Sequence, residues 1–248
     1  YYLMGVRFDA WEHSNPMQFI FPEFLTKDLW RSLFYLQSQP PLYNLFLGTV
    51  MQLFPHADTA VFTGLYYLLG LALTVSVYLL MRWLRISRPV ALVFTILFSA
   101  APETVLFENL LLYTYPVTVM IVLAALCLHH FAQKNAMVSC IGFFTLLAAV
   151  VLTRSLFHLI WYLFFLALIL AVMWQKRRTI LIAAAVPLLL ILFVYGKNYY
   201  LFGQFSASSW LGASFAKVTT FNLPEDERIR LAERGEISEL AFIPAIQG

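Results

Sequence analysis

Charge is what this chain has least of. Of its 248 residues only 12% are Asp, Glu, Lys or Arg, against 61% hydrophobic, and the mean hydropathy is +0.77. A soluble domain carries about 25% charged residues, so an ordinary water-facing surface is excluded. The apolar excess also excludes intrinsic disorder, which needs low hydrophobicity. Cysteine is scarce too. Cys127 and Cys140 are too few for a disulfide scaffold, and both sit inside apolar runs, where a thiol packs as a small hydrophobe. The formal net charge is only +3, with the basic residues in small separated groups, so no stripe exists for nucleic acid. Glycine-rich phosphate loops, nucleophile elbows and zinc-ligand spacings are absent from the sequence. No signal peptide precedes the apolar part. The opening Tyr1-Tyr2 and the closing Ile246-Gln247-Gly248 read as cut ends, and a segment of a longer protein is expected.

What is present is a series of long uncharged runs. No Asp, Glu, Lys or Arg occurs between Asp58 and Arg82, Glu108 and Lys134, Lys134 and Arg154, Arg154 and Lys176, or Arg178 and Lys197. A shorter clean run, Pro89 to Ala101, ends at Pro102. A run of about 20 such residues is the mark of a membrane span. Six spans are predicted, at 60–82, 88–104, 114–132, 137–153, 156–174 and 179–196, the second being the weakest. The expected fold is therefore all-α, a polytopic transmembrane helical bundle with outer-face juxtamembrane helices and loops.

Orientation follows from Lys and Arg in short loops, which stay cytoplasmic. Arg82, Arg85 and Arg88 follow the first span, Lys134 the third, and Lys176, Arg177 and Arg178 the fifth. These alternate loops share one side. Three domains are expected: 1–58, an outer-face loop with a juxtamembrane helix; 59–196, the transmembrane bundle; and 197–248, an outer-face polar segment. The juxtamembrane helix is 40–54, started by Pro40-Pro41 and too short to span. In the last segment Asn222-Leu223-Pro224-Glu225 reads as a capping box and Gly235 as a helix stop. An outer face this large suits a membrane enzyme better than a transporter with tight loops.

The candidate residues gather on that face. Asp9 and Glu12, in Arg7-Phe8-Asp9-Ala10-Trp11-Glu12-His13, place two carboxylates and a His among aromatics. Such a carboxylate is suited to general-base work; ordinary solvated loop charges are the plainer reading. Glu103 and Glu108 flank the next outer turn, with Tyr113 and Tyr115 close behind, which also describes an interfacial belt. Arg154 lies at a tight turn with His158 four residues on, expected on the same helix face. A guanidinium there suits a phosphate, the alternative being a snorkelling helix-end cation. Lys197 is expected to open the last outer segment. His129 and His130 read as interfacial at the cytoplasmic end.

One arrangement is distinctive. An outer Asp9 precedes Gln39-Pro40-Pro41-Leu42-Tyr43; a basic-ended span, Tyr78-Leu79-Leu80-Met81-Arg82, a span ending at Pro102 and a tyrosine-containing outer turn follow. This resembles the GT-C superfamily of integral membrane glycosyltransferases, of the protein O-mannosyltransferase and aminoarabinose transferase type, over most of residues 1–200. The resemblance implies transfer of a sugar from a polyprenyl-phosphate donor to an acceptor on the outer side, in a multi-pass protein of the bacterial inner membrane. It implies that Asp9 is the catalytic base or positions the acceptor, with Glu12 as its neighbour. Arg154 and Lys197 are implied as contacts of the lipid phosphate, by location rather than by motif. Gln39 and Tyr43 belong to the substrate-binding set, with His158, Glu103 and Glu108. Relatives often have adjacent Asp-Glu, and Lys or His before Pro-Pro; here Glu12 is three residues from Asp9, and Gln39 precedes the prolines. No cofactor is indicated, although some relatives use a divalent metal. The partners implied are the lipid-linked sugar, its acceptor and membrane lipids, and no nucleic acid. A transporter or flippase of lipid-linked sugars, or a non-catalytic membrane subunit, are the competing readings.

Overall fold

A computed structural model describes residues 6–10 and 19–237. Every regular element among them is a helix. One compact unit runs as far as Ala207 and a second begins at Ser208.

The first unit opens with two short helices, α1 (Pro22–Lys27) and α2 (Leu29–Phe34), and continues with α3 (Pro41–Leu53), α4 (Asp58–Trp83), α5 (Arg88–Ser99) and α6 (Pro102–Glu108). It is completed by α7 (Thr114–Lys134), α8 (Met137–Val151), α9 (Leu159–Val172) and α10 (Arg177–Phe202). Proline sets several of these starts: Pro22, Pro41, Pro89 and Pro102 all lie in first turns, where the missing N–H costs nothing. Helix ends use left-handed residues. Asn135 (φ 54°) closes α7 so tightly that α8 starts two residues later, and Gly203 (φ 71°) closes α10.

Among the described residues three helices are long and apolar enough to cross a membrane: α4, α7, and α10 with the turn before it, Trp174–Phe202. A fourth is added if α5 and α6, which meet at a 59° bend, count as one broken span. The bend falls at Pro102, which cannot continue the α5 hydrogen-bond ladder. The expected third-from-last and second-last spans form only shorter helices, the 15-residue α8 and the 14-residue α9.

Large apolar side chains cover the outside as well as the inside. Leu92, Val93, Phe94, Ile96 and Leu97 of α5 and Ile182, Val186, Leu189, Leu190 and Phe193 of α10 are all exposed. A soluble monomer does not present such continuous patches. If those faces meet lipid, helix association rests on close packing and small residues, not on water exclusion. The buried seam of α8 and α10 fits this, with Ala148, Ala183 and Ala184 among Phe144, Tyr162, Ile180 and Ile191. A second cluster joins α3, α4 and α7 through Tyr43, Leu47, Phe62, Tyr66, Tyr115 and Val119.

The 40–54 stretch is a helix entered through its proline pair, with Phe46 edge-on to Phe62 at 5.8 Å and Tyr43 bonded to Tyr66. Two local expectations are corrected. The last span does not stop at 196: α10 runs on to Phe202, so Lys197 is inside a helix rather than opening an outer segment. In the second unit, α11 (Trp210–Val218) is followed by α12 (Glu225–Glu233), which has no side-chain cap. Asn222 instead donates its amide to the Val218 carbonyl at 2.9 Å, so it belongs to the preceding turn. Gly235 does follow the helix end in a left-handed conformation (φ 69°).

Candidate functional site

The basic connections meet at one end of the first unit. Arg82, Arg85 and Lys134 surround one hollow there, and Lys176 lies over the Phe131 ring and donates to the Ala132 carbonyl. Most of the sequence-predicted site residues assemble towards the opposite end.

Asp9 is fixed there by its backbone. Its N–H donates to the Asn109 carbonyl at 2.8 Å, and its carbonyl accepts from Leu111 N–H at 3.0 Å, forming an isolated parallel bridge with Leu110. Phe8 packs edge-on against Tyr66, with centroids 5.3 Å apart, and Ala10 is buried. Glu12, with Trp11 and His13, lies outside the described residues.

The Gln39-Pro40-Pro41-Leu42-Tyr43 segment sits beside it. Leu42 N–H donates to the Leu152 carbonyl at 2.9 Å, tying the start of α3 to the end of α8. Gln39 and Asn44 are both buried; the Asn44 amide donates to Gln39 Oε1 at 3.1 Å and its oxygen accepts from Ile20 N–H at 2.8 Å. Tyr66 donates to the Leu112 carbonyl at 2.8 Å, which leaves Tyr43 to donate to the Tyr66 oxygen at 3.0 Å. Burial pushes the Tyr43 phenol well above its usual range, with the neighbouring Tyr66 adding to the shift.

Glu108, at the end of α6, is buried against α4. Only a glycine admits it: a Cβ on Gly70 would lie 1.7 Å from Glu108 Oε1 and 3.1 Å from the Tyr115 hydroxyl. The next residue, Asn109, accepts from Tyr67 at 3.3 Å. Glu103 is exposed in the first turn of α6 and does not join this group.

The cations close the rim. Arg154 stacks over the Tyr113 ring at 5.6 Å, and Tyr113 lies edge-on to Tyr43 at 5.9 Å. Arg154 and His158 do not share a helix face, because residues 152–158 are the turn between α8 and α9, with His158 extended at the helix start. Tyr195 accepts from Leu159 N–H at 2.9 Å, and its hydroxyl lies 3.5 Å from His158 Nδ1. If that hydroxyl donates to Nδ1, the ring proton resides on Nε2, which is buried without a hydrogen-bond partner among the described residues. Lys197, two residues beyond Tyr195, donates to the Leu36 carbonyl at 2.9 Å, just before the Gln39 segment.

Contacts therefore tie Asp9 to residues 109–111 next to Glu108, Arg154 to Tyr43 through Tyr113, His158 to Tyr195, and Lys197 to Leu36 just before Gln39. Tyr66, Tyr195 and Gly70 complete the arrangement and escaped the sequence reading. The two tyrosines had one available signal, a phenol inside an apolar run, since a buried hydroxyl needs a partner. Gly70 had none. No three His, Cys, Asp or Glu among the described residues come together as a metal-binding group. No protein-family model, curated protein or solved structure matches the chain.

Proposed function

We propose that this chain is the membrane-embedded part of a glycosyltransferase that moves a sugar from a polyprenyl-phosphate to an acceptor at the outer face. The observation that supports the reading best is the backbone bridge that holds Asp9 against residues 109–111, next to Glu108. Tyr113, two residues beyond that bridge, carries the Arg154 guanidinium 5.6 Å over its ring, which supports a carboxylate and a cation acting in one region. The cation-rich end faces the cytoplasm and the Asp9 end faces outward. In this reading α8 and α9 also cross the membrane, giving six spans. At about 1.5 Å per residue their helices reach roughly 22 Å, so the connecting segments complete the ~30 Å crossing.

The chemistry is an inverting displacement. The acceptor oxygen attacks the anomeric carbon as its proton passes to the Asp9 carboxylate. The bond from that carbon to the lipid phosphate oxygen breaks, and the phosphate leaves with the electron pair. Arg154 stabilises the charge growing on that phosphate.

A second reading, transport of a lipid-linked sugar, draws on one observation. Glu108 is a buried carboxylate packed at Gly70, twelve residues inside α4, and an ionisable group at depth marks substrate paths. Transfer assays separate the two. General-base catalysis is worth about 10²–10⁴-fold, so Asp9→Asn in the full-length protein should lose at least about 10²-fold in sugar transfer while still binding the lipid donor. Glu12→Gln is the paired variant, and a large loss there moves the base to Glu12. Wild-type transfer in both variants removes the catalytic reading.

A further inference from the structure

The opposite end of the first unit carries a feature with no part in sugar transfer. Between the ends of α4 and α7 lies a hollow of about 410 Å³, lined by Arg82, Trp83, Arg85, His129, His130 and Lys134. Its walls are held in place. Arg82 donates to the Ile86 carbonyl, which folds the chain back after α4, and Arg85 is held there in a left-handed conformation (φ 65°). Trp83 stacks on His129 with centroids 4.5 Å apart and planes 14° from parallel. His130 Nδ1 bonds the Ser139 hydroxyl at 2.7 Å. Arg85 and Lys134 remain exposed.

The charge at this end is unbalanced. Arg88, Lys176, Arg177 and Arg178 lie on the same connections, yet the sequence has no Asp or Glu between Asp58 and Glu103 or between Glu108 and Glu225. The carboxylate of Glu108, packed at Gly70, is twelve residues up α4 from Arg82, roughly 18 Å along the axis. Among the described residues the ion pairs are Arg230 with Glu227 and Arg234 with Glu236, both in the second unit. Among the described residues no Asp or Glu lines the hollow.

We propose that this hollow binds the phosphate of an anionic phospholipid, with the acyl chains lying along the exposed apolar side chains that adjoin it. The cavity is large enough for a phosphate and its glycerol. Arg82 and Arg85 offer guanidinium groups, which match phosphate oxygens in pairs. The flank is apolar: Leu84 beside the hollow and Leu92, Val93 and Ile96 on α5, which packs against α4, are all exposed. That flank favours a lipid over a free anion. Basic pockets between helices at a cytoplasmic surface are a recognised mode of headgroup binding. The proposal rests on the membrane orientation given above but not on the transferase activity.

The test is lipid retention by native mass spectrometry of the purified protein in detergent, with phosphatidylglycerol against phosphatidylcholine of the same chains. Phosphatidylglycerol should be retained in preference. A hydrogen bond to a charged group is worth about 1.5–3 kcal/mol, or at least about tenfold, so Arg85→Gln with Lys134→Gln should weaken retention about 100-fold or more. Both side chains are exposed, so the fold is spared. Arg177→Gln with Arg178→Gln removes equal charge from the same end but outside the hollow, and should change retention less than about threefold. Equal losses in the two double variants would mean a diffuse basic surface and overturn the site. So would an absence of preference for phosphatidylglycerol. Inorganic phosphate added at millimolar concentration should not displace the lipid; displacement would make the occupant a free anion and overturn the lipid assignment.

Discussion

Gly70→Ala is the most direct test of how Glu108 is seated. The added Cβ would stand 1.7 Å from Glu108 Oε1 and 2.8 Å from its Cδ, far inside contact distance. The atom that must yield is the tip of a side chain, so the backbone of α4 need not move. Glu108 is nevertheless buried, only 7% exposed. Re-seating a buried carboxylate costs on the order of 1–3 kcal/mol through its lost hydrogen bonding, and crowding adds a similar amount when neighbours must shift. Against this stands a gain of about 1 kcal/mol from replacing glycine within a helix. The net expectation is a loss of about 1–5 kcal/mol in the parent and a gain of about 1 kcal/mol when Glu108 is already Ala. A double-mutant cycle of Gly70→Ala with Glu108→Ala, read by equilibrium unfolding in mixed detergent micelles, should give a coupling of about 2–6 kcal/mol. Additivity within about 0.5 kcal/mol would show that Glu108 does not lie against Gly70, and the carboxylate would have to be placed elsewhere.

Tyr66 bonds both Tyr43 and the Leu112 carbonyl, whereas Tyr43 has the single bond to Tyr66 described here. Tyr66→Phe should therefore cost about 1–3 kcal/mol and Tyr43→Phe about 0.5–1.5 kcal/mol by the same unfolding measurement, and the reverse order would contradict the direction assigned to the bonds. Arg154→Ala should weaken donor binding by about 1.5–3 kcal/mol, with Arg154→Lys restoring only part because an ammonium lacks the paired donors; unchanged donor affinity would leave Arg154 as a helix-end cation stacked on Tyr113. For orientation, cysteines are introduced singly at Ser87 and His56 in a chain lacking Cys127 and Cys140. An impermeant thiol reagent applied outside should label the His56→Cys protein and spare the Ser87→Cys protein, and labelling at Ser87 would invert the topology and remove the outward-facing site.

The helical architecture was legible because a membrane-crossing helix and a charge-free run are the same physical fact. Asp58 to Arg82 returned as α4 almost residue for residue. The α5 break was visible at Pro102, but not the 59° angle of the bend into α6. Runs between charges overstated α8 and α9, because hydropathy does not distinguish a helical residue from an apolar turn such as 152–158. Lys197 shows the opposite limit: a charge reads as the end of a span, yet α10 continues past it, with its ammonium bonded to the Leu36 carbonyl. For the site, the residue types were legible one at a time. Their meeting was not, since a bridge between Asp9 and Leu110 or a bond from Lys197 to Leu36 has no periodicity in sequence.

Those two contacts also set a schedule for synthesis. The Asp9 peptide group finds its partners only after the ribosome has delivered residues 109–111, about a hundred residues later. At roughly 5–20 residues per second that interval is on the order of 5–20 s. Lys197 reaches Leu36 across 161 residues, so the rim closes only when the helix carrying Lys197 has been made and inserted. Until then the first loop must be hydrated or chaperoned at the membrane surface, and a nascent chain arrested before α10 would carry the Asp9 bridge without the Lys197–Leu36 bond.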